Sequence, residues 1–245
     1  MHRISYGILF ITLLSFSACQ FFKTSEKEEN GVQRSYYPDG KIHKEISMKD
    51  GKMTGSYKEY YKNGQLFHDI NFSNNLREGV AKKYYETGVL SQEIPYQAGK
   101  LHGVHKKYRR SGDLMCEIPY HEGNLCVGLK EYTVDGKVKE RYPKIVISSI
   151  DNILMNGKYS LLISLSDGTK SDVEYFEGQL TDGKYIGDEA GKVWKVENGV
   201  GRLDFALQPG MYLMEELHFI AKVKTYQGNF YITEITHHLA IDNKF

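Results

Sequence analysis

A glycine returns every 24 residues through the first half of this chain, at Gly40, Gly64, Gly88, Gly112 and Gly136. Other columns keep the same step. Gly31, Gly55, Gly79 and Gly103 are each followed five residues later by a tyrosine, namely Tyr36, Tyr60, Tyr84 and Tyr108. Downstream, Ile46, Ile70, Ile94 and Ile118 each stand one residue after an acid, the column Glu45, Asp69, Glu93 and Glu117. A fixed period of this size means stacked supersecondary units, none of which buries its apolar face alone. Such arrays build extended binding surfaces, and catalytic pockets are the rarer outcome.

One unit, GSYKEYYKNGQLFHDINFSNNLRE from Gly55 to Glu78, shows what the period encodes. Residues 56–61 are aromatic-rich and β-prone, and Lys62-Asn63-Gly64 is a hairpin signal because glycine tolerates positive φ. Residues 65–72 alternate, with Leu66, His68, Ile70 and Phe72 on one side, which is strand period. Asn74-Asn75 then turns the chain into the next unit, where other copies place Gly51, Gly99 and Gly123. About five such hairpins over residues 31–144 predict one long, twisted antiparallel sheet whose units pack on their neighbours.

The unit G-x-x-K-x-Y-Y-x-x-G-x-L-x-x-E-I, as in GVAKKYYETGVLSQEI over residues 79–94, resembles the bacterial variant of the membrane occupation and recognition nexus (MORN) repeat. Arg109 takes the place of the second tyrosine in the fourth copy, and the fifth copy is one residue short between Gly128 and Gly136. Both departures read as a terminal unit adapting to a neighbour. Proteins similar to this are often labelled antitoxin components, so the resemblance implies an antitoxin or immunity role as one expectation.

The start of the chain speaks to location. Met1-His2-Arg3 precedes an apolar run over residues 4–14 that is short for a bilayer span, and Ser17-Ala18-Cys19 follows. That order describes a secretory signal over residues 1–18. It resembles the lipobox of bacterial lipoproteins, with Phe16 in place of the usual leucine, and the resemblance implies that Cys19 is acylated and becomes the first mature residue. Residues 19–30 (CQFFKTSEKEEN) then suit a flexible tether. The expected address is the cell envelope, anchored by lipid to the outer membrane and facing the periplasm or the cell surface.

Removing residues 1–18 leaves 227 of 245 residues, enough for two modest domains. Net charge is +1, which argues against a polyanion partner such as nucleic acid. The halves differ in sign: residues 31–144 carry 20 Lys and Arg against 14 Asp and Glu, a balance of +6, and residues 145–245 carry 9 against 14, a balance of −5. With Cys19 acylated, Cys116 and Cys126 remain as an even pair in an oxidising compartment. The spacing leaves open both a bridge across a hairpin and two free thiols.

From Lys144 the period stops. Strand-like runs at 145–149, 159–165, 172–176, 193–196, 202–207, 217–226 and 230–235 alternate with turn signals such as Asn156-Gly157, Asp182-Gly183 and Gln227-Gly228. Seven short strands over residues 145–245 predict a β-sandwich of immunoglobulin-like shape, with barrel topologies as the alternative. Trp194 reads as core. The fold class is therefore all-β throughout, an elongated repeat sheet followed by a small sandwich.

The sequence carries no nucleophile elbow, phosphate loop, zinc-protease helix or dinucleotide fingerprint. His237 and His238 are adjacent, so on a strand they point to opposite faces. These absences predict no catalytic residues, no cofactor and no metal, and a non-enzymatic protein that binds another envelope macromolecule through its repeat sheet. The candidate surface comprises the tyrosine column Tyr36, Tyr60, Tyr84 and Tyr108 and the basic column Lys58, Lys82 and Lys106. The simplest role for the tyrosines is cross-strand packing. An exposed aromatic ladder also binds glycans, which makes a carbohydrate partner the third expectation.

Overall fold

The two turn types of the repeat have separate backbone causes. At the first, Tyr61 N–H donates to Gln65 O (2.8 Å) and Gly64 N–H to Tyr61 O (2.9 Å). The same pair of bonds recurs from Tyr37, Tyr85, Arg109 and Thr133, at the same 24-residue step. Gly64 sits at φ 87°, a left-handed conformation that disfavours any side chain. At the second turn both central residues have positive φ, Asn74 at 50° and Asn75 at 68°, the two-residue geometry whose twist matches paired strands. Asp50-Gly51, Ala98-Gly99 and Glu122-Gly123 repeat it.

A computed structural model describes residues 29–193 and 195–244. The signal, the tether up to residue 28, Cys19 and Trp194 therefore lie outside the described residues. The repeat region is one antiparallel sheet of twelve strands. In chain order these are β1 (Gly31–Tyr36), β2 (Ile42–Lys49), β3 (Lys52–Tyr60), β4 (Leu66–Ser73), β5 (Leu76–Arg77) and β6 (Gly79–Tyr84). Then follow β7 (Leu90–Gln97), β8 (Lys100–Leu101), β9 (Gly103–Tyr108), β10 (Leu114–His121), β11 (Asn124–Leu125) and β12 (Lys130–Glu131). Successive units are tied at the turns as well as through the ladder: Gly51, Asn75, Gly99 and Gly123 each donate N–H to a carbonyl of the unit before. The upstream glycines Gly31, Gly55, Gly79 and Gly103 all sit at positive φ, and at Gly103 a Cβ would also lie 3.3 Å from the Pro95 ring.

The remainder is a sandwich of two four-stranded sheets. Its elements are β13 (Ile145–Asn152), a four-residue helix α1 (Ile153–Asn156), β14 (Lys158–Leu165), β15 (Val173–Glu177), β16 (Gly191–Lys192), β17 (Val196–Glu197), β18 (Val200–Ala206), β19 (Tyr212–Lys224) and β20 (Phe230–Asp242). One sheet runs β13-β14-β18-β17 and the other β16-β15-β19-β20. Lettered in chain order from A with C′ after C, these are A-B-E-D facing C′-C-F-G, the immunoglobulin arrangement. Leu161 and Ile163 of the first sheet and Tyr175, Phe219 and Ala221 of the second are all fully buried in one shared core.

Two details differ from the sequence reading. Of the strand expected at 193–196, Val193 N–H donates to Tyr175 O of one sheet, while Arg202 N–H of the other donates to Lys195 O and Val196 begins β17. The last two strands are thirteen residues each, longer than expected, because their hairpin pairs from Tyr212↔Asp242 to Lys224↔Phe230 beyond the alternating apolar stretch. Ile220, which alternates with Phe219 and Ala221 and so faces away from the shared core, is also fully buried. Leu180, Ile186 and Val127 close over it, so this sheet is covered on both faces.

The sandwich core runs into the last repeat, since Cys116, Ile118 and Leu129 belong to the same cluster as Ile145 and Tyr231. No helix among the described residues is long and apolar enough to cross a membrane.

Candidate functional site

Side chains alternate between faces along a strand, so each register line across the repeat sheet belongs to one face. One line reads Arg34, Glu45, Lys58, Asp69, Lys82, Glu93, Lys106, Glu117 and Lys130, each directly opposite the next. Charge alternates at every step. The acidic and basic columns of the repeat are therefore one interleaved ladder, and each facing pair contributes roughly 0.2–1 kcal/mol. Lys106 Nζ and Lys130 Nζ each lie 3.9 Å from a Glu117 carboxylate oxygen, and Arg34 Nε donates to Glu45 Oε1 at 2.9 Å. Lys58, Lys82 and Lys106 are thus rungs of the sheet.

The first tyrosine of each unit serves the same ladder. Tyr60 OH donates to Glu45 Oε2 (2.8 Å), Tyr108 OH to Glu93 Oε2 (2.8 Å) and Tyr132 OH to Glu117 Oε2 (2.9 Å). Burial, then the bond to Glu93 and the charges of Glu93 and Glu117, push the Tyr108 phenol up to about 12. The Arg34 bond, followed by that of Tyr60, holds Glu45 below the usual carboxylate range. Tyr84 is half-buried in the equivalent place, and Tyr36 at the sheet edge is 58% exposed.

The second tyrosine joins one unit to the next. Tyr37, Tyr61 and Tyr85 donate their hydroxyls to the carbonyls of Tyr60, Tyr84 and Tyr108 at 2.6, 2.8 and 2.7 Å. Arg109, the exception in the sequence, reproduces the link by donating Nη2–H to Tyr132 O at 2.6 Å. Tyr60, Tyr108 and Tyr132 thus brace the charge ladder, and Tyr37, Tyr61 and Tyr85 link successive units.

The opposite face is apolar. Its central line runs through Ile46, Tyr57 and Ile70, then Ala81 and Ile94, then His105 and Ile118. At the sandwich end Ile118 is buried in the common core. Farther out, Tyr57, Ile70, Phe72, Ile94 and Tyr96 are only half-buried and line a groove of about 460 Å³. Glu59, His68, Lys83 and Gln92 complete its walls. Burial pushes the Glu59 carboxyl up, yet His68, Lys44 and Tyr57 together outweigh it and hold the group low. Arg77 Nη1 donates to Tyr96 OH at 3.0 Å and its guanidinium lies over the same ring. His105, 3.1 Å from Gln92 Oε1 through Nε2, has its pKa pulled down to about 4 by burial and then by the Lys107 charge. The alternation of Ile70 and Phe72 marked this face in the sequence; Met53, Arg77 and Tyr96 were not singled out, because their convergence depends on which strands become neighbours.

Cys116 and Cys126 are free thiols. The bridge that the spacing left open does not form, because Cys116 stands opposite Lys107 and Glu131, while Cys126 N–H bonds to Pro119 O, three residues farther along β10. Three residues of strand rise are about 10 Å, beyond disulfide reach. Cys116 Sγ instead lies 3.7 Å from Asn229 Oδ1. Among the described residues no group of three or more His, Cys, Asp or Glu side chains is placed to hold a metal ion.

Comparison with known families finds the MORN repeat variant at residues 29–50, 53–74 and 77–98, three consecutive repeats. The hairpin of β9 and β10 continues the same turns and the same charge ladder beyond the third matched repeat. Comparison with curated proteins finds no match.

Proposed function

We propose that this chain is a non-enzymatic protein, held in the cell envelope through an acylated Cys19, that binds a macromolecular partner on the apolar face of its repeat sheet. The supporting observation is the groove between Tyr57, Ile70, Phe72, Ile94 and Tyr96, where aromatic and aliphatic side chains are left half-buried beside a rim of charged groups. Contiguous apolar surface with a polar rim is the usual signature of a docking site. On the opposite face Tyr60, Tyr108 and Tyr132 spend their hydroxyls on the chain's own carboxylates, which favours the groove over a glycan-binding ladder.

A photo-crosslinking residue at Phe72, compared in intact cells with one at Val104 on the charged face, tests this reading. The expected result is one envelope protein captured from position 72 alone, with capture reduced in a Cys19→Ala form. Equal capture from both positions, or none, would defeat it. A cytoplasmic partner indifferent to Cys19→Ala would put the immunity-type role in its place.

A further inference from the structure

One end of the sandwich gathers exposed apolar side chains from connections far apart in sequence. The short helix α1, between β13 and β14, presents Leu154 and Met155, which are 78% and 83% exposed. The connection from β18 to β19 presents Met211, and Tyr212 and Met214 follow it on β19, each 74% exposed. Leu213 between them packs on the core, so Tyr212 and Met214 share the outer face of their sheet. Hydrogen bonds bring these segments together. Leu207 N–H donates to Gly157 O (2.8 Å), Asn243 Nδ2 to Leu207 O (2.9 Å) and Asn243 N–H to Met211 O (2.9 Å). Leu154, Met155, Pro209 and Asn243 line one groove of about 530 Å³. Ile145, at the start of β13, belongs to the core shared with the last repeat, so the end reached at Asn152 points away from the repeat sheet.

We infer that this end of the sandwich inserts into the surface of a phospholipid bilayer, with Leu154, Met155 and Met211 at the acyl boundary and Tyr212 at the level of the headgroups. Apolar residues scattered singly over a surface are ordinary, whereas these five adjoin one another. A standard protein interface engages roughly 20–30 residues a side, and five projecting side chains are too few to make one. The backbone beneath them bonds to itself, as a segment entering a bilayer requires: Gly157 N–H donates to Ile153 O, Gly210 N–H to Asn243 O and Met211 N–H to Gln208 O. Behind the tip Lys158 and Lys244 stand against Asp151, Glu215 and Asp242, so there is no cationic excess to demand anionic lipid. Insertion of apolar side chains therefore carries the contact, and a tyrosine suits the interface. The contact needs neither acylation of Cys19 nor anything bound in the groove of the repeat sheet.

An environment-sensitive fluorophore on Met155→Cys, in the Cys19→Ala form, reads the contact directly, since Cys116 and Cys126 are buried. The comparison carries the label on Val134→Cys, a repeat-turn position that is 81% exposed. With phosphatidylcholine vesicles the label at 155 is expected to shift to the blue and to be quenched by lipids bearing a quencher on the acyl chain. The label at 134 is expected to stay in water. Leu154→Asp or Met211→Asp is expected to weaken this partitioning about tenfold or more, the scale of returning one buried aliphatic side chain to water. Both side chains are exposed, so thermal unfolding of these variants is expected to match the parent. A label at 155 that ignores the vesicles overturns the inference, and so does an equal response at 134. A shift that requires anionic lipid also overturns it, as does one present without vesicles and lost on dilution, which would make the tip a contact between two copies of the chain.

Discussion

Glu131 Oε1 accepts a hydrogen bond from Asn229 Nδ2 at 2.8 Å, joining the last strand of the repeat sheet to a turn 98 residues later in the sandwich. Both side chains are almost fully buried. Thr225 Oγ1 donates to the same carboxylate oxygen, Lys139 Nζ lies 3.7 Å from the other, and Lys107 Nζ donates to Asn229 Oδ1 at 2.9 Å. The shared core and this network couple the two halves.

Removing Asn229 leaves a buried carboxylate short of a donor and Lys107 without an acceptor. Asn229→Ala is expected to destabilise the protein by about 2–3 kcal/mol, the scale for leaving a buried charged group without its hydrogen-bond partner. Thermal unfolding of the parent should show one cooperative transition, since the core of the last repeat is continuous with that of the sandwich. A loss under about 1 kcal/mol, or two separated transitions in the parent, would show that the halves fold independently.

The tyrosine links predict a contrast along the sheet. Tyr61→Phe removes the bond to Tyr84 O and is expected to cost about 1 kcal/mol. Tyr36→Phe, at an exposed edge position, should change stability by less than about 0.5 kcal/mol. Denaturant midpoints of the two variants decide the matter.

His105 predicts a pH dependence. Its folded pKa is depressed to about 4, against about 6.5 when unfolded, so between these values the unfolded chain binds a proton that the folded chain does not. Stability therefore falls as pH drops from about 6.5 toward 4. Discounted for partial exposure, the loss is roughly 1–2 kcal/mol. His105→Gln should flatten this window. The carboxylates held low, Glu45 and Glu59, contribute stability that is lost only in more acidic solution.

Burial raises the thiol pKa of both Cys116 and Cys126. In a Cys19→Ala form, iodoacetamide at pH 8 is expected to modify neither thiol in the folded protein and both once it is unfolded. A mass showing no reactive thiol after unfolding would mean that the two are bonded.

The 24-residue period made the hairpins legible because each repeated residue has a local job: Gly64 and its equivalents supply positive φ, and the alternation around Ile70 supplies a strand face. The charged and tyrosine columns were legible as columns, and their partners were not. Glu93 and Tyr108 are fifteen residues apart and meet only because β7 and β9 become neighbours. Arg109 looked like a break in the pattern, yet a guanidinium at that position reaches the same carbonyl acceptor as a phenol.

By itself the sequence determined the β class, the hairpin unit and its turns, since these depend on backbone preferences and side-chain alternation within a few residues. Tertiary structure decided which face of the sheet stays open, why Ile220 is buried, and why Cys116 pairs with Asn229 rather than Cys126. Each of those outcomes depends on segments distant in sequence: the connection at 178–190 that covers one sheet, and the turn at 225–229 that brings polar groups onto Glu131. Local periodicity carries no information about which remote segment arrives, and that arrival sets both the burial and the charge partners.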